Sequence, residues 1–113
     1  MSGISTHVLD TARGCPAAGI PVSLEHMSTA GWQVLSTGVT DADGRIKSLI
    51  TVPLQGAPDR YRITFDLADY HAQHDVDGFF PRATVEFIVQ DKNAHHHVPL
   101  LLSPFGYSTY RGS

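Results

Sequence analysis

The chain has 113 residues, 42% of them hydrophobic and 17% charged, with a formal net charge of -3 and one cysteine. At this length a chain buries roughly two-thirds of its unfolded surface, so one domain spanning residues 1–113 is expected to hold a core without staples. The mild acidity gives no electrostatic reason to expect nucleic acid or an anionic membrane as partner, and no apolar run is long enough to cross a bilayer.

From Ile4 to Asp10 the residues alternate, with Ile4, Thr6 and Val8 on one side and Ser5, His7 and Leu9 on the other, which predicts a strand. Thr11 to Pro16 gathers Gly and Pro in a loop, and Pro21 to Met27 predicts a second strand with Val22 and Leu24 on its inner face. Trp32 to Thr37 predicts a third. Asp43-Gly44 between extended runs is a hairpin signal, because glycine accepts the positive φ of a tight turn, and Arg45 follows at the turn's shoulder. Leu49 to Val52 predicts a brief fourth strand, closed by Pro53 and the loop Gln55 to Pro58.

Arg60 to Phe65 is the cleanest alternation, with Tyr61, Ile63 and Phe65 inward. Asp66 to His74 lacks alternation and predicts one short helix, which Asp66 or Asp69 is placed to cap. Ala83 to Val89 predicts a sixth strand, Ala94 or His95 to Leu102 a seventh, and Tyr107 to Arg111 an eighth after the break at Ser103 to Gly106. Many short strands, frequent turn signals and one helix predict an all-β fold, an eight-stranded antiparallel two-sheet sandwich.

Pleat parity sorts the candidate chemistry, since residues two apart share a face. In the seventh strand Val98, Leu100 and Leu102 take the core face, which leaves His95, His97, Pro99 and Leu101 outward and turns His96 inward. Ser108 and Tyr110 share one face of the eighth strand, and His7 lies opposite Thr6 and Val8. His7, His97 and Ser108 therefore all lie off the core. His26, His71 and His74 read as surface or internally satisfied residues.

A metal would need ligands on one face, which limits the three adjacent histidines to His95 and His97. With no carboxylate or cysteine pair at ligand spacing, neither a metal nor any cofactor is expected. Cys15 reads as structural. Asp10 with Arg13 and Asp41 with Asp43 read as solvated turns. No Gly-rich phosphate loop is present, and Ser103 and Ser108 lack a nucleophile-elbow context. One unpaired cysteine, and no basic segment followed by an apolar stretch at the start, favour a reducing cytoplasm.

Three segments carry a family resemblance: Thr6-His7-Val8-Leu9-Asp10 leading to Arg13-Gly14-Cys15-Pro16-Ala17; Thr40-Asp41-Ala42-Asp43-Gly44-Arg45; and His97 through Ser113. Across essentially its whole length the chain resembles the transthyretin-like family, and within it the 5-hydroxyisourate hydrolase branch. The closing Tyr110-Arg111-Gly112-Ser113 is similar to that branch's signature tetrapeptide. Position 96 departs from the pattern, being histidine where relatives often carry an aromatic.

The resemblance implies a metal-independent hydrolase of urate catabolism that converts 5-hydroxyisourate to 2-oxo-4-hydroxy-4-carboxy-5-ureidoimidazoline. It implies His7, Arg45 and His97 as catalytic residues, with Ser108, Tyr110, Arg111, Gly112 and Ser113 binding substrate. It also implies a homotetramer, a dimer of dimers enclosing a channel. The alternative from the same family is a non-catalytic carrier of small molecules in that channel, which predicts an apolar lining.

Overall fold

Period-two alternation and short turns give, in chain order, β1 (Gly3–Asp10), β2 (Cys15–Pro16), β3 (Pro21–Ser28), β4 (Gly31–Val39), β5 (Arg45–Ile50), β6 (Arg60–Asp66), α1 (Ala68–Gln73), β7 (Arg82–Ile88), β8 (His95–Ser103) and β9 (Gly106–Thr109). The structure, a computed structural model, describes residues 3–50 and 60–112. Thr51 and Val52 of the expected fourth strand, the loop from Pro53 to Pro58, and Ser113 lie outside the described residues.

One sheet runs β2-β1-β8-β9 with β5 also paired to β1, and the other runs β4-β3-β6-β7. This is the expected transthyretin-like sandwich with its one short helix. Two details differ from the alternation pattern alone. β1 and β8 run parallel, so the first sheet is mixed, and the two-residue β2 adds a strand. β5 and β2 share one edge of β1, with β5 opposite the Ile4 to His7 half and β2 opposite Leu9 and Asp10.

The inward residues of both sheets interlock in one core. Ile4, Val8, Leu100 and Leu102 from the first sheet meet Leu24, Ile63 and Phe65 from the second, all fully or almost fully buried. Burying each such side chain contributes about 1.5–3 kcal/mol, which is why alternation dictates which face turns inward.

β5 begins at Arg45, four residues before the expected Leu49, because the preceding turn is tightly fixed. The Asp41 carboxylate accepts backbone N–H bonds from Asp43 (2.9 Å) and Arg45 (3.0 Å), and the Gly44 N–H bonds to the Asp41 carbonyl at 2.9 Å. Gly44 sits at φ 73, and a Cβ there would collide with the Val8 carbonyl oxygen. The turn docks on β1 through the Val8 N–H to Gly44 carbonyl bond of 2.7 Å. Only glycine permits that approach.

The helix starts without the expected aspartate cap. Leu67 is the N-cap and supplies no side-chain bond; instead the Leu67 and Ala68 N–H groups donate to the Pro81 carbonyl, at 2.9 and 3.1 Å. Asp10 is also not the solvated turn residue its loop context suggests. It is 6% exposed and accepts the Tyr70 hydroxyl at 2.7 Å, with the Ala12 and Arg13 N–H groups on its other oxygen. A buried carboxylate persists only when bonded in this way, and the bond ties the helix to the end of β1.

Candidate active site

Three strands of the first sheet bring the site together. β1 and β8 place Ser5 beside His97 and His7 beside Pro99, while β5 sets Arg45 opposite His7. Outward parity holds for His7, His95 and His97, and His96 turns into the core at 5% exposed, its Nδ1 3.1 Å from the Ala94 carbonyl. The His7 and His97 rings lie 6.5 Å apart between centroids, tilted by 33°.

A cleft of about 230 Å³ opens beside them, lined by Ser5, Thr6, Arg45, Lys47, His95 and His97. Its walls carry two fixed cations, Arg45 and Lys47, and two imidazoles joined through one hydroxyl. Ser5 Oγ lies 2.7 Å from His95 Nε2 and 2.8 Å from His97 Nδ1. Burial lowers the His97 pKa below the ordinary 6.5, and His7, Arg45 and His95 push it the same way. A neutral imidazole beside fixed cations can accept a proton from water whose oxygen is drawn to those cations.

Gly112 packs against His97. Its N–H donates to the His97 carbonyl at 2.8 Å, and a Cβ on it would come within 2.6 Å of His97 Cδ2. The backbone thus lies flat against the imidazole.

The other expected residues are not all gathered here. Ser108 is on the outward face but stands opposite Leu101, four residues along β8 from His97, a distance of roughly 13 Å at the usual strand rise. Tyr110 and Arg111 line a separate cleft of about 330 Å³ with Val85, Phe87 and His96. Arg111 acts there on His96, whose pKa is lowered by burial first and by that guanidinium second. Ser113 falls outside the described residues. Among the described residues no group of three histidine, cysteine or acidic side chains is arranged to hold a metal ion.

Residues 4–112 match the family model described as HIUase/Transthyretin family. The chain belongs to the HIUase/Transthyretin family. A relative from Salmonella dublin named 5-hydroxyisourate hydrolase is 49% identical over 110 residues, covering 97% of this chain and 80% of that protein. The structure of Klebsiella pneumoniae 5-hydroxyisourate hydrolase superposes with a TM-score of 0.86 at 38% identity, covering 100% of both chains. Sea bream transthyretin in complex with thyroxine superposes with a TM-score of 0.88 at 33% identity, covering 96% of this chain and 93% of that one. Both kinds of HIUase/Transthyretin member thus share this backbone.

Three residues of this HIUase/Transthyretin cleft were not singled out in the sequence: Ser5, Lys47 and, as a site residue, His95. Parity already put Ser5 and His95 outward. The missing signal was the parallel register of β1 on β8, which alternation within a strand does not encode. Lys47 shares the face of Arg45 by the same two-residue spacing, once β5 is known to start at Arg45.

Proposed function

We propose that this protein hydrolyses 5-hydroxyisourate, opening its six-membered ring to give 2-oxo-4-hydroxy-4-carboxy-5-ureidoimidazoline in urate catabolism. The observation that carries the reading is His97, held toward its neutral form beside His7 and Arg45 on a polar outward face. The match to 5-hydroxyisourate hydrolases at up to 49% identity supplies the substrate.

In this reading His97 accepts a proton from the attacking water, whose oxygen adds to a ring carbonyl. Arg45 stabilises the charge that develops on the carbonyl oxygen, and its planar fork suits a carbonyl-rich heterocycle. His7 delivers a proton to the departing ring nitrogen as the C–N bond breaks. The products are a carboxylate, a neutral N–H and one proton released. No metal takes part, so chelators leave the rate unchanged.

We further propose that residues 1–113 act as one domain in a cytoplasmic homotetramer, a dimer of dimers. β7 and β9 each end their sheet, and an open edge with Ile88 and Tyr110 each 54% exposed favours pairing with a second copy. Ser108, Tyr110, Arg111, Gly112 and Ser113 would bind substrate in that assembly, where one copy's outward face meets another's. The free Cys15 fits a reducing compartment, and among the described residues no helix is long and apolar enough to cross a membrane.

The second reading, a carrier of the transthyretin type, draws on the superposition with the thyroxine complex. His7, Arg45, Lys47, His95 and His97 make the face polar where a hydrophobic cargo needs an apolar one. Turnover separates the readings. 5-Hydroxyisourate generated in situ by urate oxidase should lose its ultraviolet absorbance faster with the protein present than without it. Unaccelerated decay would overturn the hydrolase assignment, and saturable binding without turnover would favour the carrier.

A further inference from the structure

Ser5 is 7% exposed, and among the described residues its hydroxyl is the one bridge between a half-buried imidazole, His97, and an exposed one, His95. A serine hydroxyl has one proton to donate, so His95 Nε2 and His97 Nδ1 cannot both be bare nitrogens. If His97 Nδ1 holds its proton toward Ser5, His97 Nε2 is the bare nitrogen and the ring is a base. If the proton instead lies on His95 Nε2, Ser5 donates to His97 Nδ1 and His97 Nε2–H is an acid. The same three side chains thus support both forms that hydrolysis needs.

We propose that Ser5 and His95 are positioning residues that form a proton path from His97 to solvent. The inference rests on the hydrolase reading above. When His97 Nε2 takes a proton from water, His97 Nδ1–H passes its proton to Ser5 Oγ as the Ser5 proton moves to His95 Nε2. Ser5 ends unchanged, His97 is again neutral with its proton now on Nε2, and His95 is protonated on both nitrogens. His95 then loses a proton to bulk water from Nδ1, which exports the proton taken from the attacking water, while the proton of the new carboxylic acid restores His7, so that one proton is released per turnover. Arg45 and Lys47 from β5 line the same cleft, with the His7 ring from β1 against that of His97, and the two fixed positive charges oppose storing the proton on His97. The proton leaves along the only hydrogen-bonded route described from that ring's Nδ1.

The test compares wild type, Ser5→Ala and His95→Gln in weak buffer near neutral pH, with and without added imidazole. Glutamine keeps a hydrogen bond to Ser5 and cannot carry a proton, and position 95 is exposed, so the fold should survive. A single proton-transfer group contributes ~10²–10⁴-fold, and losing the path while His97 remains should cost kcat about tenfold or more with KM within twofold. Added imidazole should restore most of the His95→Gln rate. Unchanged kcat in both variants, or a His95→Gln loss that imidazole does not relieve, would overturn the path.

A second measurement is independent of turnover. In ¹⁵N-histidine spectra the ring nitrogens of His95 and His97 should titrate together in wild type and separately in Ser5→Ala; identical spectra would overturn the bridge. A wild-type protein inert toward 5-hydroxyisourate would sink the hydrolase reading, and the spectra would still decide the hydrogen-bonded path.

Discussion

Gly112 and His97 are in backbone contact such that no side chain fits between them: a Cβ at position 112 would come 2.6 Å from His97 Cδ2 and 3.2 Å from Cγ. A real Cβ does not approach an aromatic carbon so closely, so Gly112→Ala must push the imidazole or peel the tail from β8. Misplacing a catalytic ring by about 1 Å can cost roughly 10²-fold in rate. Gly112→Ala is therefore expected to lose most of kcat/KM with thermal stability close to wild type, because the tail buries little of the core. Steady-state kinetics beside a thermal melt check this; full activity would show that the tail does not set His97.

The pH dependence follows from the same ring. Burial, then His7, Arg45 and His95, depress the His97 pKa below 6.5, so the base form persists on the acid side of that value. The acid limb of kcat/KM is expected to have its inflection below 6.5, and a limb at or above 6.5 would contradict the assignment. Stability changes with the same sign. Between 6.5 and the depressed value the unfolded chain binds the proton and the folded one does not, so stability falls as pH drops through that window. His96, also depressed chiefly by burial, adds to the fall.

Asp10 and Tyr70 lie far from the chemistry and make a separate prediction. Tyr70→Phe leaves one oxygen of a buried carboxylate without its 2.7 Å donor, which is expected to cost about 1–3 kcal/mol in a denaturant titration. Burial first, and the Asp10 contact second, push the Tyr70 pKa up from 10.0 to about 12. In that interval the unfolded tyrosine has lost its proton and the folded one keeps it. This part of the stability is complete below 10 and is lost as pH rises toward 12, and Tyr70→Phe should not show that loss.

Pleat parity was enough to turn His7, His95 and His97 outward and His96 inward, because β1 and β8 are long, regular and apolar on one face. It does not foresee that Tyr110 and Arg111 line one cleft with His96, away from Ser108. What alternation does not encode is which strands become neighbours. The parallel β1 and β8 pair, and with it the contact of Ser5 with two imidazoles, arises from packing between residues about 90 apart in the chain. The burial of Asp10 is hidden from the sequence for a related reason: its loop neighbours are polar, while its hydroxyl partner is Tyr70 on a helix 60 residues later.

The central claim is that His97 is the base of a hydrolytic site. The most direct test compares first-order decay of 5-hydroxyisourate, freshly generated by urate oxidase, with wild type and with His97→Ala. The ring is half-buried on the outward face, so circular dichroism should remain sheet-like. The expected result is a wild-type rate well above spontaneous decay and a fall of ~10²–10⁴-fold in kcat/KM for His97→Ala. A folded His97→Ala protein as active as wild type would contradict the account.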